Sequence, residues 1–431
     1  MILSGWGRYP RVECRVSHPQ TISDLCRLVA SNEMIPRGNG RAYGDSAVNS
    51  AQTIDMRGFH QLRAFDSKNG TLTAGAGLQL RDIVETFAPR GWFLPVTPGT
   101  SYATLGGAIA SDVHGKNHHK AGTFGQHVEA VTMMLGTGEI VTASPTQLPD
   151  LFQATCAGMG LTGIILSATI KLIPIRSNLI RQTTIKAGSL EQVAEQFDAH
   201  ASATYSVAWI DCLARGTSLG RSVLFVGEHE EEGGEPDAEE RLSVPLDTPS
   251  ALFNTWTVKA FNQLFYARAR HGKTQRIPLR KYFYPLDAIG SWNRLYGKEG
   301  FVQYQFVVPR TDGVKNMRKI LDEISYTGAG SFLAVLKLFG EQNANLLSFP
   351  MTGYTLALDF KMCEVTRTLL KKLDDMVVGM GGRIYAAKDA LMSERTFKAS
   401  YPNVERFEAV REAYGAIGKF SSEQSRRLGL R

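Results

Sequence analysis

Two stretches decide how this chain is read: Pro36-Arg37-Gly38-Asn39-Gly40-Arg41-Ala42-Tyr43-Gly44-Asp45-Ser46, and Pro98-Gly99-Thr100-Ser101-Tyr102-Ala103-Thr104-Leu105-Gly106-Gly107-Ala108-Ile109-Ala110-Ser111-Asp112-Val113-His114-Gly115-Lys116-Asn117-His118-His119. Backbone N–H groups approach a doubly charged pyrophosphate closely only where no side chain intervenes, and Gly38, Gly40, Gly44, Gly99, Gly106 and Gly107 supply such places. Taken singly, either loop also reads as tight turns between strands. One alternative is disfavoured by spacing: no G-x-G-x-x-G follows an apolar strand and opens a helix, as a nicotinamide-binding fingerprint requires.

Around these loops lie 431 residues, enough for two or three domains, with 43% hydrophobic content to build their cores. The net charge of +7 is modest for this length and argues against nucleic acid as a partner. Local charge is more informative. Residues 228–240 hold Glu228, Glu230, Glu231, Glu232, Glu235, Asp237, Glu239 and Glu240 and read as a solvated, mobile loop. Residues 268–281 hold Arg268, Arg270, Lys273, Arg276, Arg280 and Lys281 with no acid among them. That run reads either as a solvated basic loop or as a site for phosphate or an anionic membrane surface.

The five cysteines are widely spaced without a C-x-x-C pair, which argues against a disulfide framework or a zinc site and suits a reducing compartment. No metal ligand set is expected. The first residues lack a basic-then-apolar leader and no run of about 18 apolar residues occurs, so the expectation is a cytoplasmic protein or one peripheral at a membrane.

Apolar periodicity predicts a helix over 21–30, a short strand at Ile54 and Met56, a strand over 71–76 and a helix over 79–87. Residues 128–135 and 139–143 read as a hairpin about Thr137-Gly138, and 161–174 as a long buried strand. A first domain is expected to end near residue 175. Beyond it, strands at 206–211, 222–226, 301–308, 332–339 and 354–360 alternate with helices at 190–197, 314–324 and 365–378, a second α+β unit. From about Tyr385 the chain is expected to return to the first domain. The division is thus 1–175, 176–384 and 385–431.

With the two loops stand further motifs: Gly160-Leu161-Thr162-Gly163-Ile164-Ile165, Trp292-Asn293-Arg294-Leu295-Tyr296-Gly297, Gln303-Tyr304-Gln305-Phe306, Lys337-Leu338-Phe339-Gly340 and Tyr385-Ala386-Ala387-Lys388-Asp389. Through them the chain resembles, along essentially its whole length, the vanillyl-alcohol-oxidase-type (PCMH-type) FAD-binding flavoproteins. Within these it is similar to the branch that oxidises polyprenyl-phosphoryl ribose. The resemblance implies a two-domain α+β fold, with a PCMH-type FAD-binding domain and a substrate domain built on an antiparallel sheet.

The resemblance also implies FAD contacts from the whole first loop, Pro36 to Ser46, and from Gly99, Thr104, Leu105, Gly106, Gly107, Ser111, Asp112, Val113, His114, Ile164 and Tyr385. Many relatives attach the flavin covalently through a histidine in the first loop; Arg41 stands there, so tightly bound, non-covalent FAD is implied. The implied chemistry is oxidation of a ribose C2′ hydroxyl to the 2′-keto sugar, the first half of an epimerisation to the arabinose form used in cell-wall arabinan. A partner short-chain dehydrogenase would complete it. An oxidase of a soluble sugar or polyol is the alternative, and an inactive flavin-binding scaffold a third reading.

Three residues are implied at the chemistry: Lys388, His114 and Tyr43. Lysine ionises near 10.4 in water, so Lys388 acts as a base only if its pKa falls by roughly 3 units; otherwise it orients the substrate or steadies charge on the reduced flavin. His114 is a histidine facing the flavin. Lys116, Gln303, Gln305 and Lys337 match polar pocket positions for the ribose or its phosphate, while Trp209 and Tyr296 are implied as pocket walls; Trp209 reads equally as core. One departure is Ala357, where some relatives place a cysteine beside the flavin, with Thr355 in place of an asparagine.

Overall fold

Alternation with period two builds two antiparallel sheets, and the pattern of their inward residues decides what each one holds. The computed structural model describes residues 1–31, 33–234, 242–248 and 254–431. The first sheet runs in the order Ile140–Ala143, Val128–Met134, Ile164–Lys171, Thr71–Gly75, Leu62–Asp66. The helix Leu105–Ala110 packs on its strands Ile164–Lys171 and Thr71–Gly75, and the helix Leu80–Phe87 adds Leu80, Ile83, Val84 and Phe87 to the same core as one apolar stripe. Beside it, Val16–Ser17, Thr53–Asp55 and Ile35–Arg37 form a small parallel sheet, and the first glycine loop leaves the end of the last of these strands.

The second sheet has eight strands, in the order Thr274–Pro278, Leu179–Ala187, Ser222–His229, Tyr205–Ile210, Ala334–Phe339, Gly353–Lys361, Phe301–Pro309, Arg383–Ile384. Tyr304, Phe306, Val308, Leu336, Leu338, Leu356 and Leu358 point into the main core. There the helices Leu190–Ala199, Gly313–Thr327 and Glu364–Gly379 pack against these strands. By alternation the odd-numbered neighbours face the other way, and these carry the site.

The end of the chain lies against its beginning. Asn49 donates to the Ser421 carbonyl across 2.7 Å, and Arg427 bridges Asp45 at 2.7 Å and Asp389 at 2.9 Å. This is a mixed α+β architecture with large antiparallel sheets, as expected from the alternating strand and helix signals.

Several local expectations need correction. The acidic run is not one loop: Glu228 lies in the strand Ser222–His229 and accepts from the Thr204 N–H at 2.7 Å, and Glu230 is buried, pairing with Arg276 at 3.4 Å. Glu235, Asp237, Glu239 and Glu240 lie outside the described residues. The basic run is also ordered, comprising the end of the helix Thr255–Arg268, the strand Thr274–Pro278 and the short helix Leu279–Phe283. Several elements have no counterpart in the sequence reading, among them the strands Leu62–Asp66, Leu179–Ala187 and Thr274–Pro278 and the helices Leu105–Ala110, Pro149–Thr155 and Thr255–Arg268 itself. Among the described residues, no helix is long and apolar enough to cross a membrane, and no metal-holding cluster of His, Cys, Asp or Glu occurs.

Candidate active site

One cavity of about 680 Å³ runs between the glycine loops and the free face of the eight-stranded sheet. On the loop side it is lined by Pro36 to Tyr43 and Ser46, by Gly99, Thr104, Gly106, Gly107, Ser111, Val113 and His114, and by Tyr385. Thr104 caps the helix Leu105–Ala110, accepting from the Gly107 N–H at 3.3 Å. A Cβ on Gly38 would stand 2.2 Å from that threonine's hydroxyl, so glycine lets the two loops close on each other. A Cβ on Gly99 would project into open space.

These residues fit an anionic, flat cofactor. Arg37 is held by the carbonyls of Ser4 at 2.7 Å and Ala47 at 3.1 Å, and burial depresses its pKa. Arg41 lies between the rings of Trp6 and Tyr102, 4.1 and 4.6 Å from their centroids, with Nε buried and unpartnered. Two half-buried cations beside bare glycine backbone form a setting that a pyrophosphate completes.

The sheet side follows from strand register, because directly opposed residues share a face. Trp209 opposes Val335, Val335 opposes Ala357, and Ala357 opposes Gln305, a row across four strands. A second row joins Lys337, Thr355 and Val307, and a third joins Asp359 to Gln303. Four segments distant in sequence thus place Trp209, Gln303, Gln305, Lys337 and Ala357 on the cavity wall.

Lys388 enters from the turn after Arg383–Ile384, its Nζ 4.4 Å above the ring of Tyr43. Burial, with Lys337 adding to it, lowers the Lys388 pKa from 10.5 to about 7 against the opposing pull of Asp359. Burial raises Asp359 to about 6, and this carboxylate, wholly enclosed, accepts from the Gln303 amide and from the Tyr296 hydroxyl at 3.4 Å. Tyr43 is held as the neutral phenol, its pKa pushed well up by burial and the nearby Asp359.

His114 is buried and neutral: burial first, then Lys337, His118 and Lys388, drives its pKa well down. Its Nε2 meets the Gln305 amide nitrogen at 2.9 Å, and its Nδ1 has no partner. Lys116 donates to the Tyr282 carbonyl with its ammonium 4.0 Å from that ring, and burial lowers it to about 7. Burial likewise lowers Lys337 to about 8.

Six expected site residues do not line the cavity. Gly44 is packed where a Cβ would stand 1.8 Å from the Asp389 carbonyl, and Asp45 pairs with Arg427. Leu105 and Ile164 are core residues. The Asp112 carboxylate accepts from Gly125 N–H at 2.8 Å, Asn343, Asn345 and Ser348, pinning its own loop. Tyr296 stacks on Phe301 behind the wall, at 4.3 Å between centroids.

The sequence reading missed Asp359 and Asp287. Alternation from Thr355 and Ala357 could have indicated Asp359, the next residue on that face. Asp287 faces the cavity and accepts from Thr100 and Ser101, each at 2.7 Å, tying the second glycine loop to the substrate side. Also unforeseen is an apolar limb lined by Phe225, Phe261, Phe265, Ile277 and Phe332.

Comparison with known proteins agrees with this geometry. Residues 10–144 match a family described as FAD binding domain. The chain is 36% identical to the decaprenylphosphoryl-beta-D-ribose oxidase of Mycolicibacterium smegmatis, over 99% of this chain and 97% of that protein. It is 31% identical to an uncharacterized protein of Streptomyces coelicolor over 82% of this chain and 100% of that one, and 22% identical to the L-gulonolactone oxidase of Bos taurus over 89% and 86%. With a likeness that spans both chains end to end, the protein belongs to the decaprenylphosphoryl-β-D-ribose oxidase family and is an FAD-dependent oxidoreductase.

Proposed function

We propose that this enzyme oxidises the C2′ hydroxyl of a polyprenyl-phosphoryl-β-D-ribose to the 2′-keto sugar. FAD, when bound, supplies the hydride acceptor. The observation that carries the reading is the position of Lys388, an amine lowered to about 7, over Tyr43 and in the field of Asp359, in the wall of the cavity. At neutral pH such an amine can take the hydroxyl proton as the hydride leaves.

The remaining roles follow from chemistry and position. Arg37, Arg41 and the glycine backbone hold the cofactor's pyrophosphate, non-covalently. Gln303 keeps a buried, unpartnered Oε1 while its N–H₂ is spent on Asp359, leaving an acceptor for a ribose hydroxyl. Lys116 and Lys337, both forced into a buried setting, regain full charge when a phosphate pairs with them. Trp209 walls the sugar, and the phenylalanine-lined limb takes the start of the lipid.

This reading makes 1–175 the FAD-binding part, 176–384 the substrate-binding part and 385–431 the segment that delivers Lys388. It calls for a short-chain dehydrogenase to reduce the keto product, and for peripheral contact with the membrane that holds the lipid. The test is substrate competition: the lipid-phosphate ribose should be oxidised with far higher kcat/KM than a lipid-free pentitol or sugar lactone. Equal values would transfer the protein to the soluble-sugar alternative.

A further inference from the structure

The helix Thr255–Arg268 carries apolar residues on two opposite sides, with Lys259 and Gln263 between them, and only one of those sides is inside the core. Its inner side buries Val258 and Asn262. At helical spacing the opposite side carries Trp256, Ala260, Leu264 and Ala267, all exposed, with Trp256 at 81% and Leu264 at 49%. A monomer rarely leaves a tryptophan so open beside other apolar side chains without a partner for it.

Charge identifies the partner. From Asn254 to Leu286 the chain has no acid, while Lys259, Arg268, Arg270 and Lys273 stand exposed on the helix and the turn after it. Among the described residues these four form no ion pair. Aromatic and aliphatic side chains ringed by unpaired cations match the interface of an anionic bilayer.

The same helix faces the active-site cavity. Phe261, on its flank, and Phe265 line the apolar limb together with Phe332, while Trp256 and Leu264 do not line it. The helix therefore has an apolar face toward the outside and an apolar edge toward the substrate channel.

We propose that Thr255–Arg268 is the membrane-docking element of this enzyme: Trp256 and Leu264 enter the interface of an anionic bilayer, Lys259, Arg268, Arg270 and Lys273 hold its headgroups, and the limb beneath opens to the lipid. The proposal rests on the substrate reading above only for the lipid's route; binding itself needs no substrate.

The test uses the FAD-loaded full chain and substrate-free vesicles. Flotation with phosphatidylcholine containing phosphatidylglycerol should carry the protein up, and phosphatidylcholine alone should not. Trp256→Ser/Leu264→Ser, and separately Arg268→Glu/Lys273→Glu, should each lower vesicle affinity about tenfold or more. Oxidation of a detergent-solubilised substrate by the first variant should be unchanged. Acyl-brominated lipid should quench tryptophan emission in the wild type, and Trp256→Phe should abolish the quenching while retaining binding, which checks the site without disturbing the fold. Undiminished binding by both double variants overturns the proposal, as does a dimer that Trp256→Ser/Leu264→Ser splits while neither protein floats, which would make the face a contact between copies. Vesicle binding without oxidation of a lipid-phosphate sugar would leave the docking element standing and remove the substrate reading.

Discussion

The Nε2 of His114 and the amide nitrogen of Gln305 lie 2.9 Å apart in the lining of the cavity, and a threonine decides which of them donates. Thr355 gives its hydroxyl proton to the Phe306 carbonyl at 2.7 Å, so its oxygen can only accept from Gln305, at 3.1 Å. That turns the Gln305 N–H₂ toward both Thr355 and His114. Nε2 therefore accepts, and the imidazole proton sits on the unpartnered Nδ1. His114 is thus a neutral donor at Nδ1, not a base. ¹⁵N spectra should show the Nδ1–H tautomer, with the imidazole staying neutral where a solvated histidine is already protonated, because burial and the nearby Lys337 hold its pKa well down. Thr355→Val frees the amide to turn, so the other tautomer should appear and flavin reduction should slow by roughly tenfold.

The Lys388–Asp359 pair sets the pH dependence. A lysine lowered to about 7 is protonated below that pH and neutral above it, so flavin reduction should rise with pH through about 7 and level off. Asp359 opposes the lowering, so Asp359→Asn, which keeps an acceptor for Gln303, should move the rising limb about 1 unit toward acid. A limb that stays in place would separate Asp359 from the proton transfer.

Cofactor attachment is checked by denaturation. Arg41 occupies the first-loop position that could have carried a link, and the one histidine among the described lining residues, His114, is engaged through Nε2. Acid precipitation should leave all flavin in the supernatant and an unmodified protein mass.

Ala357 removes a thiol from the wall without removing any group that moves a proton. Inhibitors that act by capturing a cysteine there should add no mass to this protein. Ala357→Cys should gain the adduct while retaining oxidation, and an adduct on the wild type would show a different target residue.

Gly44 serves the fold. With the Asp389 carbonyl 1.8 Å from where a Cβ would stand, Gly44→Ala must push the first loop off the segment that carries Lys388. A loss of about 3 kcal/mol is expected, seen as a lowered Tm with weaker flavin retention.

What the sequence made legible follows from period and motif. Alternation marked the strands at 128–134, 164–171, 301–309 and 353–361, and apolar stripes marked the helices at 80–87 and 313–327, within a few residues. The strand Leu179–Ala187 escaped because its middle, Arg181-Gln182-Thr183-Thr184, breaks the apolar alternation. The helix Thr255–Arg268 escaped for a different reason: its apolar residues fall on two opposite sides and leave no single stripe to count. Within the site, motifs named Lys388, His114 and Gln305, but the Asp359–Gln303 pairing and the row from Trp209 to Gln305 depend on register between strands far apart in sequence. The glycine loops show the limit of motif reading, since Gly38 and Gly44 sit in one loop and only the first faces the cavity.

The most direct test is anaerobic. Purified FAD-loaded protein is mixed with farnesyl-phosphoryl ribose and the flavin's long-wavelength absorbance is followed in a stopped-flow instrument. The account predicts bleaching in the wild type and a rate lower by roughly 10²–10⁴-fold in Lys388→Ala. A flavin that stays oxidised, or one that bleaches equally fast without Lys388, would contradict it.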